Sequence, residues 1–145
     1  MAESLDQLQI DFLILADRAE VINGKLYMMG GAWDRQGVLD FKQPVVVSMA
    51  VGVLVPWTFT NEAHSLRVII EHEDGAGLKP EVTGSFTLGR PPNATKGQTF
   101  RAMVAITGSW TLPGPGAYRV VASVGEDQKR TVFYADQLNR PIPTA

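Results

Sequence analysis

Apolar residues recur at every second position in segment after segment of this chain, and glycine or proline separates the segments. A period of two returns side chains to the same face of an extended strand, so the pattern commits the chain to half-buried β-strands. No window repeats its apolar residues at the spacing of a helix. The 145 residues suffice for one domain. At that size about two thirds of the unfolded surface is buried on folding, so neither a metal nor a disulfide is needed for stability. Cysteine is absent. That removes disulfides, thiol catalysis and cysteine-based zinc sites.

The strongest local signal is Asn23-Gly24 between two apolar segments. This dipeptide favours the positive φ angles of a two-residue type I′ hairpin. Such a turn predicts Val21 opposite Leu26, Ala19 opposite Met28 and Glu20 opposite Tyr27. Residues 8–16 read as a first strand, with Ile10, Phe12 and Ile14 on one face and Leu13 and Leu15 on the other. Gly30-Gly31-Ala32-Trp33-Asp34 is read as leaving the sheet. Residues 45–55 form a long strand whose odd positions, Val45 through Val55, are bulky. Its even positions Ser48, Ala50 and Gly52 are small and suit close approach by a loop or a second chain. Together with Tyr27 and Met29 they are the interface candidates. Pro56-Trp57 ends this strand, because proline cannot donate into a ladder.

Further strands are predicted at 64–73, at 81–89, from Phe100 through Ile106, from Tyr118 to Val124, and at 129–135. About eight strands at short spacing predict an all-β, antiparallel two-sheet β-sandwich, immunoglobulin-like or related. It forms one domain over 1–145, with 136–145 as a surface tail. Tyr118, entering its strand after Pro113-Gly114-Pro115-Gly116, fits the tyrosine corner of such sandwiches. A plain proline-rich loop before a half-buried tyrosine fits as well.

The charge is nearly balanced, with 13 basic and 15 acidic side chains and a net charge of −2. This argues against a nucleic-acid binder and against a polybasic membrane-surface protein. The start Met1-Ala2-Glu3-Ser4-Leu5-Asp6 has no basic n-region, and the apolar run Ile10–Ala16 is broken by Asp11. The longest apolar stretch, 44–57, spans 14 residues, short of the ~20 a membrane helix needs. The expected location is cytoplasmic, without membrane insertion.

Several short motifs follow one another along the chain: Ala19-Glu20-Val21 with Asn23-Gly24-Lys25-Leu26, Gly30-Gly31-Ala32-Trp33-Asp34, and Val55-Pro56-Trp57. They continue with His64-Ser65-Leu66, Gly84-Ser85-Phe86, Gly89-Arg90-Pro91-Pro92, Leu112-Pro113 and Pro115-Gly116-Ala117-Tyr118. In these the chain resembles a bacterial domain family of unknown function. The resemblance implies a small intracellular sandwich-like domain, and it carries no catalytic residue that could be transferred.

The residues themselves offer little for catalysis. His64 and His72 lie eight positions apart on one predicted strand, about 27 Å when extended, so they cannot share an ion. Glu71 and Glu73 flank His72, but strand geometry points them away from it. No Gly-x-Ser-x-Gly elbow is present, and Asp74-Gly75-Ala76-Gly77 precedes no helix that could present its N-terminus to a phosphate. No catalytic residue, metal site or cofactor is assigned. The outward arginines Arg67, Arg101 and Arg119 are expected to be offset by acidic neighbours.

The expected function is therefore a non-enzymatic protein-interaction or assembly module acting on a protein partner or on a second copy. The alternative is a ligand-binding module, for carbohydrate, using Trp33, Trp57 or Trp110 with Arg90 at a loop tip.

Overall fold

A computed structural model describes residues 7–139. The reading of Met1–Asp6 and the last six positions of the expected tail lie outside the described residues. The strands are β1 (Gln9–Ile22), β2 (Lys25–Gly31), β3 (Arg35–Val38), β4 (Val45–Val55) and β5 (Ala63–His72). They continue as β6 (Val82–Thr87), β7 (Phe100–Trp110), β8 (Gly116–Val124) and β9 (Asp127–Gln137). A short 3-10 turn, Trp57–Phe59, follows β4. The chain is all-β in two sheets, of order β2-β1-β4-β7 and β3-β9-β8-β5-β6.

The odd positions of β4 build one side of the core, with Val47, Met49, Val51, Val53 and Val55 fully buried. The other sheet contributes Val68, Ile70, Tyr118, Val120 and Phe133. Trp110 and Leu112 close one end, and the Trp110 indole N–H donates to the Pro80 carbonyl at 2.8 Å. Burial of a polar indole nitrogen requires such a partner.

Four expectations are corrected. A β-bulge between Ile10 and Phe12 adds one residue to β1 and reverses its parity. Ile10 therefore shares the core face with Leu13 and Leu15, and Phe12 and Ile14 face outward. Residues 8–16 and the first arm of the hairpin are one 14-residue strand rather than two. The segment after Trp33 returns to the structure as β3, which pairs with β9 in parallel, the one parallel pair among the described residues. The expected tail begins later than predicted, because Asp136 and Gln137 are still in β9, opposite Gly37 and Val38.

The small even positions of β4 are filled from within the chain. A Cβ at Gly52 would overlap the Phe12 ring. The Ser48 hydroxyl is 2.8 Å from that of Thr107 on β7, and Ala50 lies between Ile14 and Ala105 in the sheet. Ser48 is 2% exposed and Ala50 has no exposed surface. The close approach expected at Ser48, Ala50 and Gly52 is thus made by β1 and β7, and these residues offer no surface to a second chain.

Candidate functional site

β1 is longer than either neighbour, and it divides its partners between its two halves. Gln9–Ala16 pairs with Leu54–Ser48 of β4, and Ala16–Ile22 pairs with Gly31–Lys25 of β2. Only Ala16 is paired on both sides. Residues 17–30 therefore leave the four-stranded sheet as a two-stranded ribbon. The turn is the predicted one, with Asn23 at φ 51° and Gly24 at φ 73°, the left-handed values that a type I′ turn requires. The register is also as predicted, with Val21 opposite Leu26, Glu20 opposite Tyr27 and Ala19 opposite Met28.

The ribbon carries apolar side chains into solvent. Exposure is 37% at Val21, 48% at Ile22, 54% at Tyr27 and 69% at Met29. These are four of the eight exposed large hydrophobic residues among the described part of the chain. Alternation places Tyr27 and Met29 on the outer face, beside Glu20 and Arg18 of β1. An open concavity of about 430 Å³ is lined, among the described residues, by Arg18, Ala19, Glu20, Tyr27, Met28 and Met29. Val46, 62% exposed, lies on the same outer face of the sheet. Single exposed apolar side chains are ordinary, but Ile22, Tyr27 and Met29 share one face of the ribbon and form a patch of the kind that marks contact sites. Val21 and Ile22 were not read as surface. Their exposure follows from the end of β1–β4 pairing at Ala16 and Ser48.

The tryptophans are placed apart. Trp110 and Trp57 lie near opposite ends of β4, about 30 Å from each other along the strand. Trp110 is fully buried. Trp57 holds Arg90 over its ring, with the guanidinium carbon 3.7 Å from the centroid, and packs against Phe100 at 6.2 Å. Arg90 Nε donates to the Thr60 hydroxyl at 2.6 Å and Nη2 to the Trp57 carbonyl at 2.9 Å. Arg90 therefore clamps the turn after β4 rather than forming a free loop tip. Trp33 meets Phe133 edge-on at 5.7 Å, and its buried indole N–H has no partner. The three rings do not form one platform.

The histidines serve local structure. His64 donates from Nε2 to the Phe59 carbonyl at 2.7 Å and packs between Phe59 and Phe86. His72 Nδ1 accepts from the Asp74 N–H at 3.4 Å, within one turn. The Asp74 carboxyl is held below its ordinary range, chiefly by the Ala76 N–H that it accepts. Among the described residues no group of three or more His, Asp or Glu side chains is placed to hold a metal ion. The arginines meet acids: Arg67 meets Glu81 at 2.8 Å, Arg101 meets Asp11 at 2.7 Å and Arg119 meets Glu71 at 3.6 Å. The bond from Arg67 holds the Glu81 carboxyl below its ordinary range. No helix among the described residues is long and apolar enough to cross a membrane.

The fold and its exposed ribbon define an all-β protein with one protruding apolar hairpin. The chain belongs to DUF6941, a family of unknown function, which it matches over residues 11–134. That span contains the whole hairpin, β3 and the core strands through most of β9. No curated protein matches the chain.

Proposed function

We propose that this protein is a non-enzymatic interaction module that engages a protein partner through the hairpin 17–30. The observation that carries this reading is the exposure of Tyr27 and Met29 on a ribbon that stands clear of the sheet. A two-stranded ribbon is marginal in water by itself, and apolar side chains on it gain stability when covered. Enrichment of Tyr and Met at interface cores fits the same reading.

The scaffold in this proposal is an immunoglobulin-like sandwich. Strands β4, β5, β6, β7, β8 and β9 follow the order of strands B, C, C′, E, F and G, with β1 as strand A. The Tyr118 hydroxyl donates to the Gly114 carbonyl at 2.5 Å, four residues upstream, at the β7–β8 corner where a tyrosine corner belongs. The hairpin is then an insertion into the first strand, projecting from a rigid support.

The test is affinity capture of the tagged protein from its native cell, beside a Tyr27→Glu/Met29→Glu variant. Proteins held by the wild type and lost by the variant are the expected result. An identical set from both would contradict the proposal.

A further inference from the structure

We infer that β2 is a self-pairing edge, by which two copies of this chain join antiparallel about Met28 into one continuous sheet. This inference rests on the reading of the hairpin as the docking element and names its occupant. In a two-residue hairpin the residues flanking the turn exchange hydrogen bonds, and the pattern then alternates. Ile22/Lys25, Glu20/Tyr27 and Arg18/Met29 are therefore the bonded pairs, and Leu26 and Met28 turn their N–H and C=O groups to the free side. That free side calls for an extended strand, because backbone groups are matched best by another ladder.

The side chains select a second copy as that strand. Gly30, at φ 59° with the Asp17 carboxyl where its Cβ would stand, ends the regular edge. Leu26 to Gly30 is thus the usable length, and Met28 is its centre. A twofold axis there places Tyr27 of one copy opposite Met29 of the other. Each row across the four strands then reads Glu20, Tyr27, Met29 of the second copy, Arg18 of the second copy. The centre is apolar, and every row begins in a carboxylate and ends in a guanidinium. The ribbon has two acids, Asp17 and Glu20, and two bases, Arg18 and Lys25, so copies meet without net repulsion. No proline lies within β2, and its one charged residue is Lys25 at its start, so the edge lacks the usual protection against pairing.

The experiment is sedimentation equilibrium from about 10 µM to about 500 µM, a range that spans weak edge contacts. Wild type, Met29→Glu, Met28→Cys and Lys129→Cys are compared. Since the chain has no cysteine, each introduced thiol is unique. The wild type is expected to dimerise, and Met29→Glu to weaken the dimer at least about tenfold with an unchanged circular dichroism spectrum. Met28→Cys is expected to form a covalent dimer under mild oxidation, since bonded antiparallel pairs bring Cα atoms to about 5.5 Å. Lys129→Cys, exposed on β9 in the other sheet, should form no covalent dimer on oxidation. A wild type that is monomeric throughout overturns self-pairing. So does a dimer that neither Met29→Glu weakens nor Met28→Cys captures. Neither result bears on the capture of another protein, which is decided by the comparison under Proposed function.

Discussion

Phe12 occupies the space that a side chain at Gly52 would need. Gly52→Ala should therefore cost about 1–3 kcal/mol, the range of overpacked sites. Chemical denaturation of Gly52→Ala, Phe12→Ala and the double variant checks this. The cost at 52 is expected to shrink once the ring is gone. Tyr118 offers a second residue-scale test. Its hydroxyl is bonded to Gly114, its ring stacks on Phe133 at 5.4 Å, and burial raises its pKa above the usual value. A raised folded pKa on an acid means that ionisation opposes folding. The stability is full below the unfolded value of about 10 and falls as pH rises beyond it. Tyr118→Phe should lose about 1 kcal/mol at neutral pH and show a flatter alkaline decline. An unchanged alkaline arm would contradict the burial argument. At this scale the sequence was partly legible. Small residues on β4 announced a close approach, but the approaching ring, Phe12, was grouped on one face with Ile10, because a bulge leaves no mark in residue type. Asp11, which interrupts an apolar run and bonds Arg101 at 2.7 Å, was the available hint.

The hairpin is the element read best from sequence, because a two-residue turn fixes register locally and needs no distant partner. Its protrusion was not legible, since that depends on where β4 stops pairing with β1, a contact between residues 16 and 48. Gly24 has open space around it but a φ of 73°. Gly24→Val should therefore strain the turn by about 1–2 kcal/mol without touching the core. The expected readout is faster amide exchange within 17–30, with core strands β4 and β8 unchanged. Uniform acceleration across all strands would show instead that the ribbon and the two sheets open as one unit. The β3 strand shows the opposite limit. Of Arg35–Val38 only Val38 is apolar, so the sequence shows no apolar alternation there. Its partner β9 lies about 100 residues away in parallel register, as the Arg35–Tyr134 pair shows. Parallel pairing of that kind has no local turn to announce it.

At the scale of the whole molecule, two sheets share a core of β-branched side chains, and one ribbon reaches beyond it. The near balance of charge, the absence of cysteine and the period-two pattern all concern the core and surface at large, and they identified the fold class. Of the proposed contact element they singled out only Tyr27 and Met29. The other four binding candidates, Trp33, Trp57, Trp110 and Arg90, are spread along the molecule and engaged by their own neighbours. Sequence alone did not separate them from the hairpin, because a loop aromatic and a core plug look alike until packing is known. The central claim is that β2 is an open edge that a second copy closes. Residue-resolved amide exchange of Leu26 and Met28 at high and low protein concentration tests it most directly, since their N–H groups face away from β1. Protection of these two amides that appears with concentration, while the core strands stay constant, is the predicted result. Exchange at Leu26 and Met28 that is fast at every concentration would contradict it.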